Sequence, residues 1–222
     1  MSEQILPFYV VCDESYSMEP YIDSLNQGLT ELHKAIGVDA IVADKTRFCL
    51  IGFSGTADVL LPLSDLSEVT ELNGLTAKSA TSYARAFELV RDVIDRDVAA
   101  LKRDGNLVYR PAVFFLSDGQ PTDDTPWEPA YRRLVDQTWK FHPNIIAFGI
   151  GDADPDTIRR IGTLKSFMSD EGISPGLALH EFARALTKSI VRSGTALGNE
   201  NEVTLQLPEK IPGFTEIRVE AI

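Results

Sequence analysis

Apolar residues along this chain follow two alternating rhythms. Short, near-continuous runs, "FYVVC" (8–12), "FCLIGF" (48–53), "AVFFL" (112–116) and "IIAFGI" (145–150), predict strands buried on both faces. Between them, apolar positions step by three and four. Ile22, Leu25, Leu29, Leu32 and Ile36 run from a start at Pro20 to a stop at Gly37, and Phe87, Val90, Ile94, Val98 and Leu101 repeat the stripe over 82–102. Leu179, Phe182, Leu186 and Ile190 do so again between Ser174–Pro175 and Gly194. Alternating strands and amphipathic helices imply a Rossmann-like, doubly wound α/β fold, with a mostly parallel sheet and helices on both faces. "DVLLPL" (58–63) follows the second run after only "SGTA", too short for a crossover, and so predicts one antiparallel edge strand, a place that tolerates Pro62.

Residues 195–222 depart from this rhythm. "TALGNENE" is polar and acidic, while "VTLQLP" and "TEIRVEAI" alternate apolar and polar positions on either side of "EKIPGF". This predicts a small C-terminal hairpin appended to a single domain over 1–194.

Composition narrows the partners. With 21 Lys and Arg against 33 Asp and Glu, the 222-residue chain carries a net charge of −12, which repels phosphate backbones and anionic lipid. No nucleic acid and no membrane are expected as partners. The opening "MSEQILPFYVV" has Glu3 where a signal peptide is positive, and Asp13 stops its apolar run too early to span a bilayer. A cytoplasmic protein is therefore expected. Cys12 and Cys49 each sit inside an apolar run without C-x-x-C spacing, which predicts buried, reduced thiols.

The candidate chemistry lies where strands end. In a parallel α/β sheet, ligands bind just past the carboxyl ends of strands, and Asp13 and Asp118 (in "FFLSDGQPTDD") both occupy such positions. If their strands are neighbours, two carboxylates meet over low-dielectric strands, and either one holds a proton or a cation lies between them. Ser15 and Ser17, two and four positions beyond Asp13, and Thr81 in "KSATSYARAF" add neutral hydroxyls and favour the cation. Hard oxygen donors with only two full charges suit Mg²⁺, with Mn²⁺ or Ca²⁺ as substitutes, and the lack of sulfur or imidazole disfavours zinc.

"DESYS", Thr81 in "ATSYARAF" and Asp118 in "FLSDGQPTDD", in that order and on those elements, resemble the metal-ion-dependent adhesion site of von Willebrand factor A domains. "LPFYVVCDESYSM", "KTRFCLIGFSG" and "NIIAFGIGDAD" are similar to its bacterial, cytoplasmic TerY-like branch, associated with tellurium resistance and with operons encoding a kinase and a phosphatase. The resemblance implies that Ser15 and Ser17 bind an ion directly, and that Asp13, Asp118 and Thr81 bind it directly or through water. It departs from the pattern at Ser79-Ala80, where Gly-Gly usually precedes the threonine, so a stiffer turn is expected there. The implied function is a non-catalytic, Mg²⁺-dependent interaction module. An Asp or Glu of a protein partner, such as a kinase or phosphatase, fills an exchangeable position on the ion. Tyr16, Met18, Tyr83 and Trp127 are the expected apolar rim of that interface.

The enzymatic alternative is an aspartyl-phosphate type of metal-dependent phosphohydrolase with Asp13 as nucleophile. Such enzymes usually carry a second aspartate two residues on, and that position is Ser15. "GFSGT" (52–56) ends in Thr56 where a nucleophile elbow needs glycine. His33, His142 and His180 lack catalytic partners in the pattern. Asp123 and Asp124 read as turn acids near the positive end of the "EPAYRRLVDQTW" helix, with an indirect role at the ion as the alternative, and Asp154 before Pro155 reads as a helix cap.

Overall fold

The computed structural model describes residues 3–37, 39–122, 126–197 and 205–217. A central sheet runs β3-β2-β1-β5-β6-β7-β8. Its strands are β1 (Gln4–Asp13), β2 (Thr46–Phe53), β3 (Ala57–Ser64), β5 (Ala112–Ser117), β6 (Asn144–Gly149), β7 (Lys165–Ser169) and β8 (Phe214–Glu216), while the two-residue β4 (Leu107–Val108) pairs in parallel with the start of β1. β1, β2, β5, β6 and β7 are parallel. β3 returns antiparallel beside β2, as the short "SGTA" link requires, and forms one edge.

β1 shows why the runs are apolar throughout. Side chains alternate across a strand, so Leu6, Phe8, Val10 and Cys12 enter one core and Tyr9 and Val11 the other. The first core packs under α1 (Ile22–Gly37), α2 (Ala40–Lys45) and α6 (Pro175–Leu197), and the second under α3 (Tyr83–Arg103), α4 (Glu128–Leu134) and α5 (Pro155–Ile161). Both thiols are free and buried. Among the described residues, no helix is long and apolar enough to cross a membrane.

Several boundaries differ from the sequence expectation for identifiable reasons. α1 does not start at Pro20. A 3-10 turn, Tyr16–Tyr21, contains that proline and is anchored by fully buried Met18, so the α-helix begins at Ile22. α6 runs past Gly194 to Leu197, because this glycine makes a close helix contact rather than a stop. A Cβ there would lie 3.2 Å from Val42 and Thr46 atoms.

A second antiparallel strand, β8, occupies the edge opposite β3. The expected C-terminal hairpin falls partly on residues outside the described ones. Within 205–217, the strand pairs with β7, and Ile211 and Phe214 enter the first core, with the Phe214 ring 5.4 Å from that of Phe148. Ser189 donates to the Gln206 carbonyl at 2.8 Å and Ser193 accepts from the Gln206 N–H at 3.0 Å, tying this stretch to α6. The described part of the tail therefore packs as part of the domain.

Chain order reverses direction across the sheet between β1 and β5: β2 lies to one side of β1, and β6 and β7 lie beyond β5. This is the switch point at which open α/β sheets bind ligands.

Candidate metal centre

Asp13 is the last residue of β1 and Asp118 follows the last residue of β5, and the two strands pair in parallel with Cys12 opposite Leu116. Both carboxylates thus reach the same edge of the sheet at the switch point. Asp13 is fully buried. Its Oδ1 accepts the Ser15 N–H at 2.8 Å, which curls the chain back, and its Oδ2 accepts the Ser117 hydroxyl at 2.6 Å. Burial pushes its pKa up to about 6, opposed by the bonds from Ser117 and Ser15 and helped slightly by the charge of Asp118.

The curl places Ser15 Oγ 3.0 Å from Ser17 Oγ, and Ser17 donates to Asp118 Oδ1 at 2.9 Å. Burial also raises the Asp118 pKa; the Ser17 bond lowers it, and the charge of Asp152 adds to the rise. Asp13, Ser15, Ser17 and Asp118 therefore form one connected set of oxygens. Thr81, buried just before α3, joins through its backbone. Its N–H donates to Thr122 Oγ1 and its carbonyl accepts the Thr122 N–H, both at 2.9 Å, while the Ser79 carbonyl accepts the Tyr16 N–H at 3.4 Å. The segment carrying Thr81 is thereby laced to the loops carrying Asp118 and the two serines.

Of the four residues expected at the rim, one is exposed. Tyr16 is 75% exposed beside the serines, but Met18, Tyr83 and Trp127 are buried. Met18 is drawn into the first core by the 3-10 turn. Tyr83 lies edge-on to Phe53, Phe115 and Trp127, and its one hydroxyl proton is shared between Gly119 O (2.7 Å) and Ser117 Oγ (2.9 Å). It braces the Asp118 loop from beneath. Trp127 packs on Tyr83, Phe87 and Tyr131, with the Arg160 guanidinium 4.8 Å over its ring. Large aromatic faces next to an apolar strand surface are buried rather than offered to solvent.

Sequence reasoning missed the supports. Ser117 orients Asp13, and the sequence did hold a signal for it as the last, inward position of an apolar strand. Glu14 is fully buried at the side of the site, accepting the Thr76 N–H at 2.8 Å and the Lys78 ammonium at 2.9 Å. Nothing in the local pattern distinguishes it from a solvated acid. Its room depends on Gly52, where a Cβ would stand 2.2 Å from Glu14 Oε2. Gly52→Ala is expected to destabilise the fold by about 2 kcal/mol by displacing this buried carboxylate, read as a lowered urea midpoint at unchanged m-value. Asp123 and Asp124 lie outside the described residues. Asp154 caps α5, accepting from Thr157 N at 2.9 Å. His33 bonds the Leu66 and Val69 carbonyls and His142 the Trp139 carbonyl, both structural roles.

The donor set fits a hard divalent cation. Among the described residues no group of three His, Cys, Asp or Glu side chains is placed to hold a metal. The converging atoms are two carboxylates and neutral hydroxyls, a set suited to Mg²⁺-like ions and poor in the nitrogen and sulfur that zinc prefers. Lys78 is turned to Glu14 and Asp58 and does not supply the positive charge at the Asp13–Asp118 pair. The site opens onto a 510 Å³ cleft lined by Ser17, Tyr21, Asp118, Gly119, Gln120, Ile150, Gly151 and Asp152.

Residues 8–174 match the family model of the von Willebrand factor type A domain. Among solved structures, the von Willebrand factor type A protein from Catenulispora acidiphila is similar at 17% identity and a TM-score of 0.60, covering 84% of this chain and 43% of its own. Proximal thread matrix protein 1 from the mussel byssus, in a structure with a zinc occupied MIDAS motif, is similar at 16% identity and a TM-score of 0.56, covering 86% and 48%. The pilus adhesin SpaC from Lactobacillus rhamnosus GG gives 13% identity and a TM-score of 0.65, covering 86% and 30%. The chain thus spans about half or less of the length of these structures. No curated protein matches it in sequence.

Proposed function

The chain belongs to the von Willebrand factor type A domain family, and from that membership we propose that it is a non-catalytic, Mg²⁺-dependent protein-interaction module that captures an Asp or Glu side chain of a partner. The observation that carries this is the run of bonds from Asp13 through Ser15 and Ser17 to Asp118, ending at the mouth of the cleft. Asp13, Ser15, Ser17, Thr81 and Asp118 would hold the ion. When bound, the ion supplies positive charge that attracts a carboxylate from an otherwise repelled acidic ligand. The protein's own residues then do three things. Ser117 and the Ser15 N–H keep Asp13 aimed, and Tyr83 steadies the loop that carries Asp118. Exposed Tyr16 offers an aromatic face beside the serines, and the cleft accepts the partner's flanking residues. The zinc occupied MIDAS motif of the mussel protein supports the reading, as does the similarity to a pilus adhesin.

Mg²⁺ is favoured over zinc by the all-oxygen donor set. A TerY-like role in a cytoplasmic stress response, with a kinase or phosphatase as partner, is the finer proposal, supported by "LPFYVVCDESYSM" and "NIIAFGIGDAD". The non-catalytic reading is supported at Asp13, which is buried with both oxygens engaged and has Ser15 where a phosphohydrolase would place its acid. In ¹⁵N NMR, N-acetyl-glutamate is expected to shift the amides of Ser15, Tyr16, Ser17 and Gly119 with Mg²⁺ present and not in EDTA. The same protein should release no phosphate from a generic phosphomonoester above an Asp13→Asn control. Shifts that ignore Mg²⁺, or Asp13-dependent release, would replace this proposal with another.

A further inference from the structure

Between β3 and α3, residues 65–82 contain no strand and no α-helix, so individual bonds fix where Thr81 sits. Glu14 provides three of them: Oε1 accepts from Thr76 N at 2.8 Å, Oε2 from Lys78 Nζ at 2.9 Å, and its backbone carbonyl from Lys78 N at 2.6 Å. Glu14 is itself fixed, since its N–H donates to the Phe53 carbonyl at 2.7 Å and its carboxylate fills the space that Gly52 leaves. Its side chain is wholly buried and that of Lys78 34% exposed, with Asp58 3.4 Å away on the outer side. Glu14 also lies in the chain between Asp13 and Ser15, so any strain on it reaches both.

We propose that the Glu14–Lys78 ion pair holds the 76–81 segment against the serine turn, which makes Glu14 and Lys78 positioning residues of the metal centre. The inference rests on the metal-binding reading above. It also accounts for the sequence ahead of Thr81. Where the resemblance calls for two freely rotating glycines, this chain has Ser79-Ala80 preceded by a lysine clamped to a buried acid. The clamp fixes the segment in one position, which Gly-Gly would leave to be selected on binding.

Charge and positioning predict opposite signs for one substitution. Lys78→Met removes a positive charge near a cation site, so electrostatics alone would tighten Mn²⁺ binding, whereas loss of the clamp weakens it. Free Mn²⁺ followed by electron paramagnetic resonance during titration separates the two. The expected result is weaker binding, by about tenfold, in both Lys78→Met and Glu14→Gln. The double variant should be no weaker than the worse single, and Lys78→Arg should recover most of the affinity. Melting temperatures of the metal-free proteins, measured in parallel, separate this loss from general destabilisation. If Lys78→Met does not fold, Lys78→Gln makes the same comparison. Unchanged or tighter Mn²⁺ binding in the lysine variant overturns the clamp while leaving the metal centre standing. A wild-type chain that binds no Mn²⁺ overturns both.

Discussion

Asp118→Ala is expected to abolish the rise in melting temperature that Mg²⁺ gives the wild-type chain while the metal-free fold survives. Among the described residues, Asp118 is one of the two carboxylates joined through the serine hydroxyls, and Ser17 is its side-chain hydrogen-bond donor. In the metal-free protein its ionised form is already disfavoured by burial, so removing it should cost the apo fold little. In the loaded protein the substitution removes one of the carboxylates that would face the ion. An ion at a hundred times its Kd stabilises the native state by about 2.7 kcal/mol, which for a domain of this size is about 5–10 °C. The variant should show no more than about 1–2 °C under the same conditions, because a loss of affinity of about 100-fold reduces the term to about 0.4 kcal/mol. Differential scanning fluorimetry with Mg²⁺ and with EDTA measures both. A shift equal to that of the wild type would remove Asp118 from the ligand set.

Asp13→Asn is expected to make the metal-free protein more stable at neutral pH, although it disables the site. The folded-state pKa of Asp13 is raised from its ordinary 3.8 to about 6, mainly by burial. For an acid shifted upward, the native state binds more protons than the unfolded one between these two values. Stability therefore falls as pH rises through that window and stays reduced above it. At about 1.36 kcal/mol per pH unit, the deficit comes to about 3 kcal/mol at pH 7. Asn keeps an acceptor for the Ser15 N–H and offers a donor to Ser117 Oγ, so a gain of about 1–3 kcal/mol is expected at pH 7.5 and much less near pH 4. Urea denaturation at the two pH values measures it. Equal destabilisation at both would mean that the carboxylate is not held against its preference. The same linkage makes cation binding stronger above about pH 6, where Asp13 ionises without help.

Much of this was legible in the sequence. The continuous apolar runs identified the buried strands, because a parallel sheet covered on both faces leaves no polar alternation to misread. The length of "SGTA" dictated the hairpin to β3. The positions of Asp13 and Asp118 at strand ends brought them to one edge, and β1–β5 pairing does place them together with the two serines. What was not legible were elements and contacts made by tertiary placement. β7 is too short to carry a period, and the alternation in "TEIRVEAI" does not tell that the strand at its start, β8, pairs with β7. Burial of Met18, Tyr83 and Trp127 follows from where the 3-10 turn and the aromatic cluster sit, since closeness in sequence to a site says nothing about which side of the chain faces water. Glu14 reads as a surface acid until Gly52 and Lys78, far away in sequence, make a place for it.

The central claim is that three separate segments of backbone bring oxygens together around a divalent ion whose last position is left for a partner. A crystal structure grown in Mg²⁺ tests it most directly. The account predicts an ion bonded to the hydroxyls of Ser15 and Ser17, with Asp13, Thr81 and Asp118 around it and a carboxylate or water on the cleft side. An ion bound elsewhere, with the Ser17–Asp118 hydrogen bond intact as it is here, would contradict it.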